Sequence, residues 1–194
     1  MGKKSVVVIA GPSGSGKNAV IEEILKRYKR CSLLINATTR AKREGEHEGV
    51  DYHFLTEENF KKKIESGDIL EYRYVPALGT YYGTYKPDLE SRIERGDVVL
   101  AHKDIVGARY LKEHYGALTF FLLPESVESL ERRIRARNPA MPREELEERM
   151  KMVKREVEKE APQYDYKVVN KDGGLEKTVE EIVAILKKEG YNLE

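Results

Sequence analysis

The chain has 194 residues with 35 basic and 34 acidic side chains, a formal net charge of +1, so no long-range field draws it to nucleic acid or to an anionic membrane surface. Its length suits one domain with a sizeable core, or a core carrying a small insertion. Charged residues make up 36% of it, against roughly 25% in an average domain, a bias that suits a heat-stable chain because ion-pair networks gain value with temperature. Cys31 is the sole cysteine, which excludes an intrachain disulfide and points to a reducing, cytoplasmic setting. His47, His53, His102 and His114 show no metal-ligand spacing.

Read in chain order, Ser5–Ala10 is a β-branched run expected to be a strand. The preceding Lys3 and Lys4 give it the look of a signal peptide, but five apolar residues before Gly11-Pro12 are too few for one. Gly2 is not set up for myristoylation, since Val6 stands where Ser or Thr is wanted. No stretch has the length needed to cross a bilayer. Further strands are expected at Leu33–Ile35, Val98–Ala101, Thr119–Leu123 and Lys167–Val169. Helices are expected near Ala19–Tyr28, Ile105–His114, Ser126–Ala136, Arg143–Lys159 and Leu175–Lys188. Mostly apolar strands alternating with helices imply an α/β fold around a parallel sheet.

Residues 36–95 break that rhythm. They are more polar and rich in tyrosine, and read as a small inserted subdomain. Within it Tyr52–Leu55 is expected as a strand, Thr56 as the cap of a helix running to Glu65, and Ile69–Val75 as a strand. The remainder, 1–35 and 96–194, forms the core. A second irregular stretch at about 137–145 holds Pro139 and Pro142 between two charged helices and suits a mobile lid.

Gly11–Lys17 reads Gly-Pro-Ser-Gly-Ser-Gly-Lys, directly after the first strand and leading into a helix. Glycines there let backbone N–H groups of Ser13, Gly14, Ser15 and Gly16 turn toward phosphate oxygens, and the helix N-terminus adds partial positive charge. Lys17 then reaches the β- and γ-phosphates of a nucleoside triphosphate. Asn18 stands where Ser or Thr normally sets a hydroxyl on Mg²⁺; its amide oxygen is still a hard neutral donor, for direct or water-mediated contact. Farther on, Arg40 and Arg43 lie three apart in a Gly-containing loop and can converge on one phosphate, with the Tyr52 hydroxyl beside them. Glu71, then Tyr82 and Thr84, then Asp104 complete the chemistry-bearing set.

These segments resemble the guanylate kinase family. The likeness rests on Gly11–Lys17, Thr38–Gly49 with Asp51-Tyr52, Leu70-Glu71-Tyr72, Tyr81-Tyr82-Gly83-Thr84 and Asp104–Gly107. It continues through Leu130–Arg137 and ends at Asp165–Asn170, so it spans nearly the whole chain. The resemblance implies a P-loop core, a GMP-binding subdomain and a short lid, with phosphoryl transfer from ATP to GMP in the presence of Mg²⁺. It implies that Arg40, Arg43, Tyr52 and Tyr82 hold the GMP phosphate. Glu71 would read guanine, with Asn36, Thr84 and Asp104 completing the base pocket. Arg133, Arg137 and Arg149 would close over the transferring group, and Asn170 would fall near the adenine of ATP. As a general base none is needed, because a phosphate monoester with a second pKa of about 6 is already largely dianionic at neutral pH. The expected protein is a monomer or homodimer with small nucleotides as partners.

Three departures stand out. Asn36 occupies a position where the family usually has serine, two extra residues sit around Pro76–Gly79, and the lid runs about one residue long. Two other readings compete: a kinase of ribose bisphosphate, toward which Asn18 points, and an inactive module that binds phosphorylated protein through the GMP pocket. The intact Gly16-Lys17 and the lid arginines speak against the second. Arg149 also has a purely local partner available in Glu145, one turn earlier, as Glu147 has in Lys151.

Overall fold

The computed structural model describes residues 4–194; Gly2 and Lys3 lie outside them. Five strands, β1 (Val6–Ala10), β2 (Cys31–Leu33), β7 (Val98–His102), β8 (Leu118–Pro124) and β9 (Tyr166–Asn170), form a sheet in the order β2-β7-β1-β8-β9. Every neighbouring pair is parallel. The chain is therefore α/β, as its alternating pattern implied. All five residues of β1 are buried because the sheet is covered on both faces. Val7 and Ile9 pack toward helices α1 (Lys17–Arg27) and α7 (Leu175–Lys188), whose Val20, Ile24, Ile182 and Leu186 share that cluster. Val6, Val8 and Ala10 point the other way, toward Leu89 of α3 (Lys86–Glu94) and Leu111 of α4 (Ile105–Tyr115).

Helices α5 (Val127–Arg137) and α6 (Arg143–Arg155) follow β8 as a hairpin, with Leu130, Ile134, Leu146 and Val153 buried between them. The expected single helix to Lys159 instead loosens into a π-helical turn over Glu156–Glu160, next to Pro162, which cannot supply a helical N–H. On α6, Arg149 does pair with Glu145 at 2.9 Å. Glu147 pairs back to Arg143 rather than on to Lys151, which takes Glu148.

A second sheet lies within the tyrosine-rich stretch, in the order β4-β3-β6-β5. Its strands are β3 (Ala37–Thr38), β4 (His53–Phe54), β5 (Ile69–Val75) and β6 (Thr80–Tyr85). Helix α2 (Glu57–Glu65) starts where expected, with Thr56 Oγ1 accepting from Asn59 N at 3.2 Å, and seats Phe60 under this sheet. The extra residues around Pro76 are absorbed in the β5–β6 hairpin. Pro76–Leu78 makes one 3₁₀ turn and Gly79 closes it at φ 61°, so Val75 pairs with Thr80 and Arg73 faces Tyr82. A residue with a Cβ would be strained at Gly79.

Asp88 joins this sheet's surroundings to the parallel sheet. Its Oδ2 accepts from Ile35 N at 2.9 Å and from Arg92 Nε at 2.7 Å, while His53 Nε2 stands 3.6 Å from Oδ1. Burial alone would raise the carboxyl pKa, but His53, Arg92 and the Ile35 N–H together hold it far below the usual carboxylate range. Replacing it by Asn keeps the shape and removes the charge. Asp88→Asn is expected to cost about 1–3 kcal/mol in urea unfolding at pH 7, and the loss should shrink as His53 deprotonates; a change under about 0.5 kcal/mol would show that the junction does not depend on this carboxylate.

Candidate active site

Strands β1 and β7 run side by side, with Ile9 opposite His102. The loop leaving β1 and the residues leaving β7 therefore emerge at one edge of the sheet. Ligands of open parallel sheets bind at such an edge.

The loop after β1 turns through Gly11, Gly14 and Gly16, at φ 143°, 84° and 90°. A Cβ on Gly11 would lie 2.6 Å from Leu122 O, and one on Gly16 would collide with the Asn170 carboxamide. The glycines are thus required both for conformation and for room. The Lys17 ammonium donates to Gly11 O at 2.6 Å and Pro12 O at 2.9 Å. Burial pulls its pKa down to about 8, against an opposing pull from Glu156. Ser15 Oγ is buried without a hydrogen-bond partner, on a side chain inside the curl of the loop.

Asn170, expected near an adenine, is buried at the end of β9 and holds the loop from behind. Its Nδ2 donates to Ser15 O at 2.7 Å, and Thr178 Oγ1 donates to its Oδ1 at 3.0 Å. Arg133 grips the same strand end, donating to Asn170 O at 3.0 Å and to Asp172 at 2.6 Å. Ser13, Gly14, Lys17, Asn18 and His102 border a cavity of about 470 Å³ that Arg133 and Arg137 also line. A neighbouring cavity of about 520 Å³ brings Arg133, Arg137 and Arg149 together around Ser13 and Gly14. Three arginines from α5 and α6 thus line one opening, with the Arg133 guanidinium on Asp172 and Asn170 O and that of Arg149 on Glu145.

A further cavity, of about 350 Å³, lies between the two sheets. Asn36, Tyr52, Glu71, Tyr82, Lys103 and Asp104 line it, and His102 sits at its junction with the first cavity. Thr84 stands just behind this wall, donating to Glu71 Oε1 at 2.5 Å. Asp104 divides its work: Oδ1 caps α4 by accepting from Val106 N and Gly107 N, each at 3.1 Å, and Oδ2 lies 3.5 Å from Arg73. Arg40 and Arg43 are not among the lining residues. Arg40 is turned onto Glu46 at 2.6 Å, with its guanidinium 5.4 Å from the centre of the Tyr52 ring, and Arg43 is exposed beside it. Both lie one side chain away from Tyr52.

Two residues of this site escaped the sequence reading. His102 ends β7 next to Lys17, and desolvation in the cleft, reinforced by Lys17 and Lys103, lowers its pKa to about 4. It is neutral at pH 7. Lys103 is buried at the cavity wall, its ammonium 2.6 Å from Asn36 Oδ1 and 3.0 Å from Glu71 Oε1, and also against Thr84 Oγ1. Lys103 follows β7 on the side of Val99 and Ala101, but the strand is buried on both faces, so its sequence carries no alternation that would mark the lysine as buried.

The family model for guanylate kinase matches residues 3–189. The chain belongs to the guanylate kinase family. It is similar to the guanylate kinase of Prochlorococcus marinus subsp. pastoris, with 38% identity over 185 residues, 95% of this chain and 97% of that one. It is similar also to the guanylate kinase of Clostridium perfringens strain 13, with 41% identity over 182 residues, 93% of this chain and 82% of that one. Among solved structures, guanylate kinase from Anaplasma phagocytophilum superposes with a TM-score of 0.72 at 29% identity, covering 99% of this chain and 89% of that one.

The depressed Lys17 pKa has a consequence for the family's donor nucleotide. With Lys17 on a nucleotide phosphate, as the sequence leads one to expect, contact would favour the charged ammonium. Binding is then expected to be strongest below about pH 8 and to weaken as the free lysine loses its proton above it. Titrating a non-hydrolysable ATP analogue from pH 7 to 9.5 should show the dissociation constant rising up to about tenfold per pH unit beyond the break. The break should vanish in Lys17→Met; a flat wild-type profile would contradict the assignment.

Proposed function

We infer that the chain is an ATP-dependent guanylate kinase in which ATP lies along 11–17 and GMP occupies the cavity under Glu71. The observation that carries this reading is the pair of openings meeting at His102, one bordered by Ser13, Gly14, Gly16 and Lys17, with the Ser15 N–H held back on Pro12 O at 3.1 Å, and the other by a carboxylate with two tyrosines. In it, 36–95 acts as the GMP-binding subdomain, 1–35 with 96–194 as the P-loop core, and about 137–145 as the lid. Small nucleotides are its partners, with no call for nucleic acid. Among the described residues no helix is long and apolar enough to cross a membrane, which is compatible with cytoplasmic work as a monomer or homodimer.

Recognition follows from donor and acceptor patterns. Guanine carries adjacent N–H donors at N1 and N2, which face the Glu71 carboxylate, whose Oε2 is open to accept from them. Adenine lacks the N1 donor and leaves that oxygen without a partner, and sites of this kind reject the wrong base by roughly 10⁴–10⁵. Tyr52 and Tyr82, with rings 5.9 Å apart, offer hydroxyls to the GMP phosphate. Arg40 reaches it by swinging from Glu46, an exchange of one charge-assisted partner for another, and Arg43, whose backbone N–H holds the same carboxylate, reaches it with its exposed side chain. Arg133, Arg137 and Arg149 then cover the transferring group from the lid side. Catalysis reduces to in-line positioning and charge neutralisation, with the acceptor already deprotonated. Water must be shut out for transfer to beat hydrolysis, so the two inserted segments close on the bound pair.

Mg²⁺ is the metal such chemistry calls for. Among the described residues no group of three or more His, Cys, Asp or Glu gathers to hold an ion. The donors beside Lys17 are the Asn18 amide and the neutral His102 ring. That set fits an ion brought in on the nucleotide's phosphates, which keeps its waters and takes at most the Asn18 oxygen from the protein. Bound there, Mg²⁺ neutralises charge on the phosphate oxygens.

An assay of ADP release with ATP and Mg²⁺ against GMP, dGMP, AMP, UMP and ribose bisphosphate tests the reading. GMP is expected to be the preferred acceptor. Lys17→Ala should lower kcat/KM by at least about 10³-fold, the scale of a lost transition-state charge contact, whereas Glu71→Ala should chiefly erode discrimination among bases. If base choice survived in Glu71→Ala, that carboxylate would not be the reader; if ribose bisphosphate were preferred, the whole assignment would fail.

A further inference from the structure

Lys103 has no task in the reaction described above, yet it is the most committed side chain of the base cavity. It is buried, follows β7 on the core-facing side, and contacts groups from three other segments, Asn36, Glu71 of β5 and Thr84 of β6. An ammonium carries three protons and no lone pair, so each neighbour must turn an acceptor toward it. This fixes the sense of every hydrogen bond around it.

Asn36 must face Lys103 with its carbonyl oxygen, at 2.6 Å, which leaves its amino group for the cavity that it lines. The lysine thereby removes the ambiguity of a carboxamide that can otherwise turn over. Thr84 commits a lone pair to Lys103, so its proton goes to Glu71 Oε1 at 2.5 Å. Glu71 Oε1 accepts from both Thr84 and Lys103, leaving Oε2 for a ligand. Across from them, Gly107 makes room: a Cβ there would lie 3.0 Å from Glu71 Oε1 and 3.0 Å from Lys103 Cδ.

The wall therefore shows a donor from Asn36 beside an acceptor from Glu71. A 6-oxo-2-aminopurine shows the complement, an acceptor at O6 beside donors at N1 and N2. A 6-aminopurine shows a donor at N6 beside an acceptor at N1, and mismatches both. We propose that Lys103 is a specificity-determining positioning residue, which sets the donor–acceptor polarity of the base pocket through Asn36, Thr84 and Glu71 without itself needing to touch the base. This rests on the reading that the cavity takes the base of GMP.

Equilibrium binding of GMP and of AMP to the intact chain, with and without Lys103→Met, tests it. Wild type should favour GMP. In Lys103→Met, Asn36 is free to turn over, so the GMP-over-AMP ratio should fall by at least about tenfold, the scale of one mismatched polar contact. AMP should bind at least as tightly as it does to wild type, which general damage to the fold would not produce. In an Asn36→Leu background the same lysine change should move the ratio clearly less than in wild type, by under about threefold, because no carboxamide is left to orient and only the Thr84–Glu71 hydrogen bond still answers to the lysine. Binding of a non-hydrolysable ATP analogue to the other site checks that each variant is folded. Should Lys103→Met not fold, Lys103→Gln replaces it: its amide offers donor and acceptor alike, enforces no polarity, and should lower the ratio in the same way. A folded variant that keeps the wild-type ratio overturns the proposal, as does full additivity with Asn36→Leu. A wild type with no preference for GMP would instead overturn the reading of the cavity, whatever Lys103 does.

Discussion

The parallel pairing of β1 with β7 is the constraint on which the site depends. Because Ile9 and His102 are in register, the phosphate-binding turn and the His102-Lys103-Asp104 segment leave the sheet at one level, side by side. The strands are held by burial on both faces, with β1 contributing to two separate clusters, so the edge is rigid where the chemistry needs fixed distances. The α5–α6 hairpin with its π-helical end and the second sheet are packed around smaller clusters of their own. Rigid centre and lighter flanks are the arrangement expected of an enzyme that closes over its substrates.

Charge is distributed in keeping with this. Around the phosphate cavities the chain gathers Lys17, Arg133 and Arg137 without a carboxylate among the lining residues, so anions enter a cleft of one sign. Around the base cavity it does the opposite, pairing Lys103 with Glu71 and Arg73 with Asp104. A neutral, hydrogen-bonded wall discriminates by pattern, whereas an unpaired charge would attract any nucleotide. Several surface pairs, such as Glu57 with Lys61 and Glu58 with Lys62, stabilise helices by only about 0.2–0.5 kcal/mol each and belong to neither function.

Much of this was legible beforehand. The α/β rhythm, the cap at Thr56 and the bounds of Ile69–Val75 follow from apolar runs and local capping, which need only neighbouring residues. What stayed hidden depends on distant partners. Strand Ala37–Thr38 is two residues long and exists only by pairing with His53–Phe54 and Thr80–Tyr85. In Thr80–Tyr85 the alternation is masked by tyrosines on both faces and by Gly83, whose missing Cβ admits Ile69 and Phe60. Helix α3 opens on Lys86-Pro87 and buries only Leu89 fully, too little for a helical stripe. Lys103 was passed over because a lysine is expected in water; its neighbours lie 19, 32 and 67 residues away. Asn170 was placed by family pattern, and its grip on Ser15 is a contact across 155 residues.

That last contact bears on the order in which the protein becomes competent during synthesis. The glycine turn is made from residues 11–17, yet its rear support comes from β9, 155 residues later, and from Thr178 of α7, both synthesised after it. A nascent chain lacking those segments has the glycine turn but not the carboxamide that braces it. Completion of the carboxy-terminal strand is therefore the event that finishes the amino-terminal turn.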